Sequence, residues 1–340
     1  MTQVLARPTP GVRAGRGIWR HTRWDALPAA YSVAYVAATL ALAARWQDLP
    51  PAGMVAAFAT VALMTSYHII VVSHLFTHVP WFTSGRLNAV ASLLNSAGIG
   101  QSVQIYQFTH VRNHHRFNND RPGPDGRTRD TSSTYRDGND GDHTPLGRYV
   151  VSGALDSVAD RAMEILAITR LWRVGPKETR LLELAANREP KRSRELRQVQ
   201  ADRAAHCLAL AAFVVISWQF TVLCYIPAFC TALCLVNVQN YYRHYGADPS
   251  SRTADSVSYY GRLYNLLSLN DGYHQEHHLS PATHWSKLPA LRERNRAKLD
   301  GTQRVISPVP AMIGFLDRRR VQLHRSVASA PVPSTRLEES

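Results

Sequence analysis

The sequence predicts an all-α integral membrane protein, with about four transmembrane helices in two hairpins and a cytosolic helical cap that holds a metal site. The prediction rests on three features. Apolar residues are concentrated in a few long runs, and the length of each run is close to that of a helix that crosses a bilayer, about 20 residues. The formal net charge is +14, with basic residues clustered beside those runs. Fifteen histidines occur, and nine of them stand in four short groups.

Two pairs of apolar runs predict the hairpins. Residues 27–45 and 53–73 form the first pair, and residues 204–222 and 226–241 form the second. We place the turn of the second hairpin at Tyr225–Pro227, because proline interrupts a helix. Basic residues precede the first run, so the positive-inside rule places both outer ends of the first hairpin in the cytoplasm. We therefore expect a multi-pass protein whose site faces the cytoplasm.

Composition divides the chain into three parts. Residues 1–26 are predicted to be a cytosolic N-terminal segment, and residues 27–326 a single membrane domain. The tail, residues 327–340, contains Pro and Ser and is predicted to be disordered. Within the membrane domain, residues 118–147 are rich in Asp, Gly, Arg and Ser, which predicts a polar loop.

Two further segments predict helices that do not cross the membrane. Residues 87–108 are apolar but interrupted by Asn, Gln and Gly, which favours a re-entrant or interfacial helix. Residues 146–171 repeat apolar positions at a helical period, which predicts a helix at the membrane interface.

The positive charge does not indicate a nucleic-acid partner. Basic residues beside the third apolar run do not alternate with aromatic residues, as they do on nucleic-acid platforms. They are Arg188, Lys191, Arg192, Arg194, Arg197 and Arg203. The four cysteines all lie inside one apolar stretch without CxxC spacing, so they are predicted to be small core residues rather than metal or disulfide ligands.

The four histidine groups have the spacing of metal chelates. They comprise His74 and His78; His110, His114 and His115; His244, with Asn240 one helical turn before it; and His274, His277 and His278. Residues at i and i+4 of a helix share one face, so we expect His110 and His114 to form a pair. His115 is turned about 100° further around the axis, so that one helix could present ligands to two metals.

All four groups are predicted to converge on one side of the membrane, because an even number of crossings separates them. Many imidazoles brought together without a cation would leave unpaired ring nitrogens or repel one another. Imidazole nitrogens divided over two sites are suitable ligands for a pair of redox-active iron ions. A zinc hydrolase that uses fewer of them is an alternative, although Leu75 stands where the glutamate of an HExxH motif belongs. A metal transporter is a second alternative, but its histidines would lie inside the spans.

Outside the four groups, the other carboxylates, histidines and Trp285 near them are predicted to have supporting or structural roles. Asp271 and Glu276 flank the fourth group, and we expect them either to orient imidazole N–H groups or to be solvated surface residues. His284 and Trp285 are predicted to pack structurally. Besides His284, five histidines lie outside the groups, and a structural or exposed role is predicted for them as well: His21, His68, His143, His206 and His324.

The four groups resemble the histidine boxes of the membrane fatty acid desaturase and hydroxylase superfamily, between Tyr67 and about Leu288. The second and third groups are more similar to those of alkane hydroxylases, whereas the fourth, followed by Leu-Ser-Pro, resembles the ending of acyl desaturases. The resemblance implies two iron ions held by the nine histidines, with Asn240 as a candidate tenth contact.

The resemblance also implies an activity: O2-dependent oxidation of an unactivated C–H bond in a fatty acyl or alkyl substrate drawn from the lipid bilayer. The outcome is an alcohol, an alkene, or an alkene formed by decarboxylation, and the ligand motifs are common to all three. The sequence has no dinucleotide-binding GxGxxG after a strand, no ferredoxin-type cysteine run and no cytochrome b5-like HPGG. Electrons are therefore expected from a separate protein such as a ferredoxin or cytochrome, docked on the basic cytoplasmic face.

Overall fold

The computed structural model describes residues 17–139, 141–168 and 176–328. The predicted tail lies outside the described residues from position 329 on, as do residues 1–16 of the predicted N-terminal segment. Helices and loops make up the described part, with two isolated β-bridges, Trp19 to Phe82 and Ser258 to Ile306. The all-α prediction is confirmed.

Four helices in the described part of the chain are long and apolar enough to cross a membrane, as predicted. They span Arg23–Asp48, Pro51–His78, Lys191–Ile216 and Trp218–His244. Large apolar side chains on their outer faces are exposed, among them Val55, Leu208, Val215 and Leu223. An exposed apolar surface of this extent is typical of a protein that contacts lipid or a partner.

The first hairpin consists of α1 (Ala26–Arg45) and α2 (Pro51–His78). A short turn joins them, and Pro51 begins α2, where a proline needs no N–H partner. The second hairpin consists of α7 (Lys191–Ile216) and α8 (Trp218–His244).

The turn of the second hairpin is at Ser217, and its predicted position at Tyr225–Pro227 was wrong. Ser217 has extended backbone angles, φ −159° and ψ 100°, and its hydroxyl accepts a hydrogen bond from the Phe220 N–H at 3.1 Å. The segment Thr221–Tyr225 is instead π-helical, and Pro227 lies in the first turn of Ile226–His244 directly after it. The wider π-helical turn accommodates the proline, so the helix continues.

The segments between the hairpins form α3 (Gly85–Ile99), α4, α5 (Leu146–Ile168) and α6 (Pro176–Glu183). Helix α4 runs through Val103–Gln107, a π-helical segment Phe108–His114, and His115–Phe117. Helix α3 packs on α7, and α5 packs on α8. The two predicted non-spanning helices are thus present, and their location at the membrane interface stays a prediction.

A non-helical loop follows α4, as the sequence predicts for residues 118–147. It begins where Asn118 and Asn119 adopt left-handed backbone angles, φ 50° and 59°, which asparagine tolerates better than most residues. The Asn119 side-chain oxygen then accepts a hydrogen bond from the Thr134 N–H at 2.7 Å. This bond folds the loop back on itself beside the end of α4.

Short helices follow α8. They are α9 (Arg262–Leu267), α10 (His274–Leu279), α11 (Leu288–Arg294), α12 (Arg296–Asp300) and α13 (Leu323–Ala328). They are joined to the start of the first hairpin through Asp25, whose carboxylate bonds to His284 Nε2 at 2.9 Å and accepts from Trp285 Nε1 at 3.0 Å. The structural role predicted for His284 and Trp285 fits these contacts.

Candidate metal centre

The nine histidines of the four sequence groups meet at one end of the long helices. Eight of them form two clusters in which the ring nitrogens lie within 4.8 Å of one another. The first cluster is His74, His78, His110, His115 and His277. The second is His114, His244 and His278. His274 lies beside the second cluster, with its Nε2 at 3.5 Å from His244 Nε2.

The spacing of the nitrogens fits shared metal ions. His74 Nε2 lies 3.2 Å from His277 Nε2, and His110 Nε2 lies 3.2 Å from His115 Nε2. Two nitrogens that bind one metal at about 2.0–2.1 Å are roughly 3 Å apart. The two clusters adjoin each other, because the rings of His115 and His278 are separated by 4.5 Å between centroids. The arrangement therefore has the donors for two neighbouring ions.

The expected pairing in the second histidine group was wrong. His110 pairs with His115, five residues away, and His114 belongs to the other cluster. The reason is the π-helical winding of Phe108–His114, in which residues five apart rather than four apart are bonded along the axis. The expectation that one helix serves both clusters agrees with the geometry.

Burial keeps the imidazoles in the form that binds metal. It lowers the pKa of several box histidines well below the ordinary value, and the neighbouring imidazoles lower it further. They are His110, His115, His274, His277 and His278. Within the described residues, His114 Nε2 and both ring nitrogens of His278 are buried without a hydrogen-bond partner. Each unpaired buried nitrogen costs about 1–3 kcal/mol, a cost that a bound metal would remove.

Asp130 orients His114. Its carboxylate lies 2.7 Å from His114 Nδ1, is fully buried, and also accepts hydrogen bonds from the hydroxyl and the backbone N–H of Ser132. Burial alone would raise the pKa of Asp130, but His114 and Ser132 together hold it below its ordinary value. The His114 ring therefore carries its proton on Nδ1 and directs Nε2 into the cluster. Sequence reasoning missed Asp130, which is sixteen positions from His114 in a loop with several other aspartates.

Asp255 supports the other two histidines of the second cluster. Its backbone oxygen is 3.1 Å from His244 Nδ1, and its carboxylate is 3.8 Å from His278 Nδ1. Burial raises the pKa of the Asp255 carboxyl to about 7, against smaller opposing effects from Ser256 and His114. A cation in the cluster would favour the ionised form. Asp255 was also missed, because no motif connects it to a histidine group.

The two carboxylates predicted from the sequence have different surroundings. Asp271 is buried, with Oδ1 at 3.7 Å from His74 Nδ1, while its Oδ2 accepts from Gln239 and Tyr264 at 3.1 and 2.9 Å and pairs with Arg243. Glu276 differs from the expectation, since no described imidazole bonds to it. Its carboxylate accepts from Ser258 at 3.0 Å and from Tyr260 at 2.6 Å, and it pairs with Arg292. The cause is its position on α10, which turns it away from His277 and His278.

Comparison with known proteins shows the family to which the chain belongs. The family model described as fatty acid desaturase matches residues 49–309, which contain all four histidine groups. The chain belongs to the fatty acid desaturase family. Membership of this family supports the prediction that the protein is an oxidoreductase of lipid metabolism.

Two curated relatives match short stretches of this family member. A sphingolipid delta(4)-desaturase of Komagataella phaffii is 48% identical over 50 residues, which is 15% of this chain and 14% of the relative. A sphingolipid delta(4)-desaturase of Candida albicans is 54% identical over 39 residues, or 12% of this chain and 10% of the relative. The matches thus cover a small part of each relative's length. No solved structure matches the chain significantly.

Asn240 lies on α8 of this desaturase family member, one helical turn before His244. Its side-chain nitrogen donates to the Tyr149 hydroxyl at 2.6 Å and to the Ser132 backbone oxygen at 3.3 Å. Ser132 also contacts His114 Nδ1 at 3.2 Å. Asn240 therefore lies at the edge of the second cluster, and its contact with a metal stays a prediction.

The histidines outside the boxes occupy structural or exposed positions. His21 is exposed and stacks on His284. His68 is buried among Ser32 and Asn95, and His206 is buried near Glu164. His143 and His324 are buried beside each other in the polar loop and α13. These five residues belong to neither histidine cluster.

Replacing His143 with alanine is expected to destabilise the fold without removing a metal ligand. His143 Nε2 accepts the Gly246 N–H at 3.2 Å, and Nδ1 bonds to Thr134 at 2.8 Å. The Gly246 N–H is buried, so leaving it without its acceptor should lower the free energy of unfolding by about 1–3 kcal/mol. Thermal unfolding of the purified protein measures the effect, with His21→Ala as the exposed control. Equal unfolding temperatures for the two variants would contradict it.

Proposed function

We propose that this chain is a multi-pass membrane diiron enzyme that uses O2 to oxidise an unactivated C–H bond in a fatty acyl or alkyl substrate. The observation that carries the proposal is the pair of adjoining histidine clusters. Ring nitrogens approach to 3.2 Å in the first cluster, and to 3.5 Å between His244 and His274 at the second. Nine neutral nitrogen donors exceed what one zinc ion takes, and they suit two redox ions. When bound, a pair of iron ions supplies the redox chemistry through which O2 oxidises such a bond.

The protein's own groups hold and orient the donors. His74, His78, His110, His115 and His277 would hold one ion, and His114, His244, His274 and His278 the other. Asp130 and the backbone oxygen of Asp255 keep protons on Nδ1 of His114 and His244, which leaves each Nε2 free for the metal. The low exposure of the imidazoles keeps bulk water from the centre.

We place the centre on the cytoplasmic side of the membrane. The ends of α2 and α8 carry the boxes, and the basic start of α7 is at the same end, since Arg112 of the second box pairs with Glu195 of α7. At the opposite end, the first turn has only Arg45 and Asp48, and Ser217 and Trp218 of the second are uncharged. This asymmetry follows the positive-inside rule.

The zinc hydrolase alternative is disfavoured by the surroundings of Leu75. This residue occupies the position at which a helical zinc hydrolase carries its general base, and it packs in an apolar cluster with Ile70, Val71 and Leu269. Within the described residues, no carboxylate replaces that base on the same helix turn, His74–His78. An alkene-forming decarboxylase of the same superfamily stays an alternative, because its ligands would be the same.

Metal and product analysis together test the proposal. The protein is purified in neutral lipid nanodiscs, its metals are quantified, and it is supplied with a reductase, a ferredoxin or cytochrome donor, and fatty acyl or alkyl substrates. We expect about two irons per chain and oxidised product only when O2 is present. Mass spectrometry distinguishes an alcohol, an alkene of unchanged carbon number, and an alkene that has lost carbon dioxide. Bound zinc with O2-independent hydrolysis would overturn the proposal.

Replacing Asn240 with alanine is expected to impair turnover less than replacing a box histidine. The change removes the bonds to Tyr149 and Ser132, and with them part of the support of His114, but no imidazole. We expect a decrease in turnover of about 10-fold, at the lower end of the effects of groups that orient ligands. Steady-state oxidation measures it at equal iron content. A wild-type rate would show that Asn240 does not act on the metal centre.

A further inference from the structure

A groove of about 680 Å³ lies beside the first histidine cluster. Its walls come from the end of α2, from α3 and α4, and from the first turns of α7. Thr77, which stands between His74 and His78, lines the groove, and its backbone oxygen accepts a hydrogen bond from Gln107 at 3.1 Å. A molecule in the groove would therefore reach the segment that carries the first box.

One wall of the groove is positively charged. Lys191, Arg194 and Arg197 line it at successive i+3 positions of α7, which places their side chains on one face of the helix. Glu195 also lines the groove, where it accepts two bonds of 2.5 and 2.8 Å from Arg112 and lies 3.8 Å from Lys191 Nζ. No described carboxylate lies within ion-pair distance of Arg194 or Arg197, and both are exposed. Their guanidinium groups are thus available to an anion.

The rest of the lining is apolar or already bonded. Phe76, Pro80, Ala89 and Val103 supply apolar surface. The polar residues Ser92 and Gln198 donate hydrogen bonds to the buried Asp202, which lies behind the lining. A ligand that fits both parts has a hydrocarbon chain and an anionic head group.

We infer that the groove recognises the phosphate of an amphiphilic acyl substrate, an inference that rests on the proposed function and adds a substrate class to it. Phosphate is favoured over a carboxylate because a dianion can engage both unpaired arginines, Arg194 and Arg197, whereas a carboxylate carries a single charge. Arginine matches phosphate through paired N–H donors, and Arg194 and Arg197 lie one helical turn apart. With the phosphate on this wall, the chain of the substrate lies along Phe76 and Thr77, next to the first cluster.

Binding of short amphiphiles tests the inference without iron, O2 or an electron donor. Octyl phosphate, octanol and inorganic phosphate are titrated against the full-length protein in dodecyl maltoside, a detergent that contains no phosphate. We expect octyl phosphate to bind more tightly than either partial probe. The double variant Arg194→Gln/Arg197→Gln should weaken octyl phosphate binding about tenfold or more. The control Arg192→Gln, on the same helix but outside the groove lining, should bind as the wild type does.

Competition then separates the two sources of an acyl phosphate. Displacement of octyl phosphate by phosphatidic acid added to the micelles would indicate a bilayer phospholipid, and displacement by octanoyl-coenzyme A would indicate a soluble thioester with a phosphate-bearing carrier. Equal affinity for octanol, an equal loss in Arg192→Gln, or displacement by neither competitor would overturn the inference. Arginine-dependent binding without any oxidised product would count against the proposed function alone. Oxidised product without arginine-dependent binding would count against the head-group assignment alone.

Discussion

Replacing His277 with alanine should abolish oxidation and lower the iron content below that of the wild type. His277 lies at the middle of the first cluster, with its ring 4.3 to 6.2 Å from the rings of His74, His78, His110 and His115. Loss of a direct ligand should exceed the about 10–100-fold decrease that follows loss of a group orienting a ligand. Metal analysis and turnover of the purified variant measure both effects.

The control for this variant is His21→Ala, which removes an exposed imidazole that stacks on His284. It should keep full iron and activity. His114→Ala provides an independent test, since His114 belongs to the second cluster. Full iron occupancy with normal turnover in either His277→Ala or His114→Ala would contradict the ligand assignment.

Replacing Asp130 with asparagine should decrease metal affinity and turnover by about 10–100-fold while preserving the fold. The amide has nearly the shape of the carboxylate, but it lacks the charge that holds the His114 Nδ1 proton. An amide nitrogen facing Nδ1 would favour the tautomer with its proton on Nε2, the atom directed into the cluster. Iron dissociation rates and turnover at saturating iron separate the effect on affinity from that on chemistry.

Asp125→Asn is the matched control for this change, because Asp125 is exposed in the same loop and accepts a hydrogen bond only from its neighbour Arg127 among the described residues. We expect wild-type behaviour from it. Should Asp130→Asn retain wild-type iron affinity, Asp130 would have a role in folding the loop rather than in orienting His114.

The positions of the spans could be predicted from the sequence because bilayer thickness sets a minimum length for an apolar helix. The convergence of the boxes could also be predicted, since an even number of long apolar helices lies between successive boxes that those helices separate. The first inference depends only on the length of each apolar run, and the second only on the number of such runs. The turn at Ser217 could not be predicted, because serine has no strong preference there and Pro227 gave a stronger but misleading signal.

The partition of ligands between the clusters depends on local winding that residue types do not specify. The four-residue spacing of His110 and His114 predicted that these two would share a cluster. The π-helical hydrogen bonding over Phe108–His114 instead brings His110 together with His115. Asp130 and Asp255 act through tertiary contacts across loops, which no spacing rule connects to a histidine. Glu276 shows the converse, since being a neighbour of His277 in sequence did not place it beside the ring.

The unusual winding of α4 has a consequence for protein design. Transplanting the motif HxxxHH onto an idealised scaffold of straight α-helices would copy the letters but not the directions of the side chains. The first and second imidazoles of the motif would then converge, whereas here the first and third do. A synthetic dinuclear centre built from this motif therefore needs one widened turn in its blueprint, introduced as deliberately as the ligands themselves.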